Sequence, residues 1–241
     1  MTRTASNRAA YLIAIVMATS SCAERMHEVG AGDLTAGEGS WFAVPGGDEG
    51  RPREISGRVR IELPRYRVRG ACGLYWSGDG VLQIDFDHSS LFGAYREEAT
   101  ILIGGGRIEV RDELRGTTVR DGEALAMLGE HLGLEIYGDD LVYVLLLRPL
   151  RLDAGPVEVE RSGGELTVKG SWRGRSVEIE GRAGLPPSRL KVVSPDGVGY
   201  ETRYGYRKGA PGSYPERIVC ERIGGSGKIS LTIEQGAEGT R

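Results

Sequence analysis

The sequence predicts a mainly β fold of about eleven antiparallel strands with a short helical insert after the fifth. Three observations carry that expectation. Apolar and polar residues alternate at period two over most of residues 55–235. Glycine, 38 of 241 residues, recurs with Pro and Asp between the alternating runs, as turns require. One stretch, residues 121–136, changes to a helical period. Period two buries one face of each strand and leaves the other in water, which antiparallel sheets allow.

The first run places Val59, Ile61 and Leu63 on one face. The second carries Tyr66, Val68, Cys72, Leu74 and Trp76, and the third, after the turn Ser77-Gly78-Asp79-Gly80, carries Leu82, Ile84 and Phe86. Residues 99–103 and 107–112 flank Gly104-Gly105-Gly106 and read as a hairpin. A phosphate-binding loop would need a Lys-Ser/Thr pair and a helix directly after the glycines, and neither follows. Within 121–136, Leu125, Leu128 and Leu132 form one helical stripe with Asp121 as the N-cap. Residues 139–147 (DDLVYVLLL) fit either a second short helix or a buried strand, ended before Pro149. Strand patterns resume at 165–170, 176–181, 189–193, 199–207, 217–223 and 228–234.

The N-terminal segment has a different character. Arg3 and Arg8 precede or open an acid-free apolar run, residues 9–18, that ends on Thr19-Ser20-Ser21-Cys22. That order is the order of a secretory signal peptide. The run falls short of the roughly 20 residues needed to span a bilayer as a helix, and no later segment reaches that length. The segment resembles a bacterial lipoprotein signal, which implies acylation of Cys22 and attachment to membrane lipid. Thr19 departs from the Leu usual in that family, so ordinary cleavage after Ala23 stays open as the alternative. Ala23 after the cysteine implies, by the same resemblance, sorting to the outer membrane, facing the periplasm. Residues 1–21 are thus read as the signal, 22–54 as the lipidated Cys and a Gly- and acid-rich tether, 55–235 as the folded domain and 236–241 as a tail. Trp41-Phe42 interrupts the tether as a pair that docks on the domain or stays exposed.

The net charge is −3, and the signal removes two bases and no acid, so the remainder is more acidic still. With no basic stripe or aromatic RNA-binding motif, nucleic acid is not an expected partner. Asp85, Asp87 and His88 are the tightest acid–histidine cluster, and a metal would need further ligands from elsewhere. Glu130-His131 lies on the expected helix and His27 in the tether, which leaves no histidine metal site. No G-x-S-x-G elbow and no Cys-x-x-Cys pair occurs. No cofactor, metal or catalytic residue is expected, and the chain reads as a non-enzyme. Cys72 and Cys220 read as small core residues, with a disulfide left open.

The segments ISGRVRIEL, LYWSGDGVLQIDFD, Leu91-Phe92-Gly93, the insert after DELRGTTVRDG, LPPSRLKVVSP, GYETRYGYRK and YPERIVCERIGGSGKISLTI resemble the LolA/LolB-like superfamily of lipoprotein-localisation proteins. The resemblance implies a curved antiparallel half-barrel whose concave face binds acyl chains of lipids or lipoproteins beneath a helical lid. On that implication the cavity candidates are Val59, Ile61, Leu63, Leu74, Trp76, Leu82, Ile84 and Phe86 from the sheet. Leu125, Leu128 and Leu132 would come from the lid. The same residues fit a filled core equally well, so two functions remain. One is a lipid-anchored acceptor of lipoproteins or lipids at the outer membrane. The other is an envelope lipoprotein serving as a protein-interaction scaffold. Multiple acyl chains would hold the protein in place on a tether of mean reach on the order of tens of ångströms, which suits a stationary acceptor better than a shuttle. Replacing Cys22→Ala is expected to move the protein from the membrane fraction to the soluble periplasmic fraction on cell fractionation; an unchanged membrane fraction would rule out the anchor.

Overall fold

The computed structural model describes residues 24–30, 42, 53–63, 67–77, 80–89, 96–112, 116–132, 138–147, 150–208 and 214–238. Cys22, Trp41 and Leu91-Phe92-Gly93 lie outside them, as do the side chains of Leu128 and Leu132. Among the described residues, fourteen strands form a single sheet and two helices accompany it. In chain order the strands are β1 (Glu24–Gly30), β2 (Arg53–Glu62), β3 (Arg67–Trp76), β4 (Leu82–Ser89), β5 (Arg96–Gly104), β6 (Arg107–Asp112) and β7 (Thr117–Arg120). Two helices follow, α1 (Asp121–Leu132) and α2 (Gly138–Leu146). The chain then returns through β8 (Pro156–Ser162), β9 (Glu165–Trp172), β10 (Arg175–Arg182), β11 (Pro187–Val193), β12 (Gly199–Gly205), β13 (Arg217–Ile223) and β14 (Lys228–Glu238).

The mainly β class holds, with three strands more than the sequence suggests. They are β7 and β8, which bracket the helices, and β1, within the stretch read as a tether. The helical insert therefore follows the seventh strand, not the fifth. The ambiguous run 139–147 is helical, as α2. Asp121, expected as the N-cap, sits at φ 49 and accepts a hydrogen bond from the Ile108 backbone N–H at 3.4 Å. It and Glu123 still place negative charge at the positive end of the α1 dipole.

Spatial order is β1-β8-β9-β10-β11-β12-β13-β14-β2-β3-β4-β5-β6-β7, and every neighbouring pair is antiparallel. Two meanders, β2 to β7 and β8 to β14, thus meet along β14 and β2. The α1–α2 crossover carries the chain from β7 at one edge of the sheet to β8, which lies beside the other edge strand, β1. The register builds continuous apolar rows across strands. Ile55, Leu74, Ile84, Ile101, Val110 and Val119 face one another across the first meander. Cys220, Ile229 and Ile61 form a second apolar row that crosses the seam, with the buried Thr202 at its end. Such directly opposed pairs are the contacts that fix strand register, because a slip of one residue would turn a whole row to water.

The opposite face is charged. Arg189 bridges Glu178 at 2.8 Å and Glu201 at 2.9 Å, Arg203 binds Glu201 at 2.6 Å, and Lys228 binds Glu221 at 2.6 Å. Asp85, on that face, accepts hydrogen bonds from Gln83 and Thr100, the role of a solvated strand residue. Curvature follows from a distance constraint. Ile218 and Ile101 stand five strand spacings apart, about 24 Å across a flat sheet. Both nevertheless line one small cavity, so the sheet curls around it. Bulges between Glu180 and Gly181 and between Ile233 and Gln235 add local twist.

The second of those bulges sits on the seam. There a Cβ on Gly57 would fall onto the Thr232 carbonyl oxygen, a backbone atom that no rotamer change can move aside. Gly105 and Gly106, at φ 58 and 74, supply the left-handed pair of the β5–β6 hairpin. Gly57→Ala is expected to open the seam locally and cost about 1–3 kcal/mol. Thermal denaturation should show a midpoint lower by roughly 3–10 °C.

Candidate functional site

The concave face encloses an apolar cavity of about 50 Å³. One wall comes from the first meander: Val59 on β2, Cys72 and Leu74 on β3, Ile84 and Phe86 on β4, and Ile101 on β5. Ile218 and Cys220 on β13 and Ile229 and Leu231 on β14 form the opposite wall, and Leu141, Val144 and Leu145 of α2 close it. The cavity therefore straddles the seam, with α2 as its cover.

Strand alternation explains the lining. Ile218 and Cys220, like Ile229 and Leu231, are two apart and point to one side. On α2, Leu141, Val144 and Leu145 occupy the i, i+3, i+4 positions of one stripe. Of the residues expected to line an acyl cavity, Val59, Leu74, Ile84 and Phe86 do line this one. Ile61, Trp76 and Leu82 are buried in the same core without lining it, and Leu63 and Leu125 pack partly buried against that core. Sequence reasoning missed Cys72 and Ile101 of the first meander and all of the lining that comes from the second meander and α2. The alternation of 217–223 and 228–234 marked the strands but not the partner they would face.

Cys72 and Cys220 are both free, buried and part of the lining. Cys220 shares its row with Ile229, Ile61 and Val68, whereas Cys72 lies four residues farther along β3, so the thiols sit apart. Burial pushes each thiol up to about 12. At neutral pH both stay protonated and behave as small apolar groups.

A set of polar ties holds α2 against the second meander. Asp140, in its first turn, is fully buried and accepts two hydrogen bonds from the Arg175 guanidinium, at 2.6 and 2.9 Å. Arg175 also stacks over Trp172, with 4.6 Å from its guanidinium carbon to the ring centroid, and Trp172 meets Tyr143 of α2 edge-on at 5.1 Å. The β9–β10 turn positions both Trp172 and Arg175. Its residues Arg173 and Gly174, at φ 54 and 73, present their N–H groups to the Asp153 carboxylate, which also accepts from Ser171. Those hydrogen bonds, the Gly174 N–H first, hold Asp153 below the usual carboxylate range.

At the other end of α2 the last carbonyls have no helical partner. The Tyr204 hydroxyl donates to the Val144 carbonyl at 3.1 Å and the Tyr214 hydroxyl donates to that of Leu145. Leu147, at φ 55, ends the helix in the left-handed conformation usually given to glycine. At the far side of the concave face Phe42 is buried with Val157, Val159, Leu166 and Val168. No group of acids, histidines and cysteines suited to a metal occurs among the described residues, and none of their helices is long and apolar enough to cross a membrane.

No protein-family model matches the sequence, and no curated protein is detectably similar to it. Solved structures are similar. A LolA superfamily protein from Nitrosomonas europaea aligns at 13% identity and TM-score 0.48, over 80% of this chain and 89% of that one. A domain described as an outer membrane lipoprotein-sorting protein from Vibrio parahaemolyticus aligns at 9% and 0.49, over 88% and 92%. A DUF1329 family protein from Desulfovibrio piger aligns at 12% and 0.51, over 80% and 89%. Identities this low speak to the fold alone. The open antiparallel sheet curled around short helices is the half-barrel architecture that the sequence leads one to expect, and it is similar in fold to these structures.

Asp140→Asn would remove the buried carboxylate that the Arg175 guanidinium grips with two hydrogen bonds, at a cost of about 3–5 kcal/mol. Urea denaturation should show that loss, and most of it should return in the double variant Asp140→Asn with Arg175→Met.

Proposed function

We propose that this chain is a non-enzymatic envelope protein, held to membrane lipid through Cys22, whose half-barrel receives an acyl chain between the concave sheet and α2. It acts as a stationary acceptor of lipoproteins or lipids at the outer membrane. One observation carries the reading: a wholly apolar cavity walled by both meanders and covered by a single nine-residue helix. An acyl chain needs no polar partner along its length, and burial of each methylene contributes about 0.8 kcal/mol. The LolA-like architecture accords with this use.

At about 50 Å³ the cavity lies well below the roughly 300 Å³ at the small end of ligand pockets. An acyl chain therefore enters only as α2 moves outward, and the ties at its two ends set the cost of that step. The same small volume favours a second reading, a scaffold whose concavity is filled and whose partners bind elsewhere.

Native mass spectrometry of the protein with lipid extraction, together with titration of a fluorescent fatty acid, separates the two. The acceptor reading expects saturable uptake of one chain, lost in Phe86→Glu while the melting transition persists. Phe86 suits the test because it lines the cavity and is only partly buried. Absence of co-purified lipid and of uptake would instead support the scaffold.

A further inference from the structure

β1 begins at Glu24, and only Ala23 separates it from Cys22. A chain covers at most about 3.6 Å per residue, so the Cys22 and Glu24 backbones lie no more than about 7 Å apart whatever path joins them. β1 itself is fixed to the sheet. It pairs with β8, from Glu24 opposite Arg161 to Gly30 opposite Pro156, and is the outermost strand on that side. A second tie follows at Phe42, which is buried with Val157 and Val159 of β8 and Leu166 and Val168 of β9. Its ring also lies against Gly181 of β10, where a Cβ would come within 3.0 Å of it.

The register shows on which rim of the sheet Cys22 emerges. Beyond Arg161 the chain turns at Gly163-Gly164 to Glu165, which stands opposite Arg182, so the β8–β9 and β10–β11 turns share this rim. Arg189 pairs with both Glu180 and Arg203, which puts the end of β12 there too. The β9–β10 turn, Arg173-Gly174, lies on the opposite rim. α2 runs between the two: Asp140 in its first turn meets Arg175 at the far rim, and the Val144 carbonyl near its end meets Tyr204 beside the Cys22 rim.

We infer that β1 is a strap that clamps the lipid anchor to the sheet, so that the rim carrying the β8–β9 and β10–β11 turns is the surface of this domain that lies against the bilayer. The inference rests on the anchored-acceptor reading above and gives that acceptor an orientation. Without β1 and Phe42, the next fixed point after Cys22 is β2, about 30 residues on and up to roughly 100 Å away along an extended chain. With β1 in place, about 7 Å of chain is left. The partner is the lipid surface and not a second strand, because the bulge between Met26 and Val29 blunts the β1 edge against pairing with another chain. The orientation also sets the side of entry. An acyl chain leaving the bilayer meets the end of α2 held by the Tyr204 and Tyr214 hydroxyls, and not the end locked by Asp140 and Arg175. Neutral hydrogen bonds of modest net worth guard the side that faces lipid.

Ala183 and Ser176 are exposed and stand at the two ends of β10. The membrane-extracted protein carrying Ala183→Cys or Ser176→Cys, labelled with a thiol-reactive donor dye and reconstituted into phosphatidylcholine vesicles with acceptor-labelled headgroups, tests the orientation. Energy transfer should place Ala183 nearer the bilayer than Ser176 by up to about 20 Å, the run of β10. Inserting about a dozen Gly and Ser residues between Ala23 and Glu24 leaves β1 intact and should abolish the difference. In the soluble Cys22→Ala chain, Met26→Pro with Val29→Pro should speed amide exchange in β8 while β12 and β13 keep their protection. Equal distances for the two dyes with Cys22 acylated, or a difference that survives the spacer, would overturn the orientation and leave the anchor and the acyl cavity standing. Unchanged exchange in β8 would overturn the strap. A Cys22 found without acyl chains by mass spectrometry would overturn the anchor reading and this inference together.

Discussion

The buried contact between Asp140 and Arg175 is the constraint on which the concave side depends. Two opposite charges removed from water cost several kcal/mol each to desolvate, and the return is adequate only when their geometry is good. Here it is bidentate, and the guanidinium plane also lies on Trp172. Its principal effect is positional. Any other rotation or axial setting of α2 would strand a charge in the core, so the helix has one low-energy seat. That seat presents Leu141, Val144 and Leu145 to the cavity and brings the last carbonyls of α2 to the hydroxyls of Tyr204 and Tyr214.

The rest of the architecture gives that seat its shape. Each meander is built from local hairpins, and neither alone would enclose a cavity. Joined along β14 and β2, they form a sheet whose curl brings β5 and β13 to opposite sides of one small space. The charged outer face follows from the same alternation. Its ion pairs lie at the surface, the Arg189 pairs half-buried and the others more open, and they serve mainly to keep that face solvated.

The period-two runs made the strands legible, because one buried and one wet face leaves a direct imprint on sequence. β7 has four residues with a single apolar one, Val119, which is too little alternation to register. β8 shows only Val157 and Val159 among polar neighbours. For α2, a continuous apolar run with β-branched Val142 and Val144 fits a helix or a buried strand, and periodicity cannot separate them. Tertiary ties decide. None of these was visible either: Asp140 and Arg175 are one acid and one base among 34 and 31. What makes them a pair is the crossover, which carries α2 back over β10.

The seam also governs the order of folding. β2 pairs with β14 at contacts such as Val59 with Leu231, more than 170 positions apart along the chain. Loop-closure entropy must be met before such a contact returns any free energy, so this pairing forms late. Until β14 is available, β2 and β13 are both unpaired inner edges, and the two meanders exist as separate curved ribbons with their apolar rows open to water. A chain that emerges from its N-terminus onward meets this condition naturally, since its last strand arrives last. The single act of zipping β14 between β13 and β2 then removes two sticky edges and closes the cavity in one step.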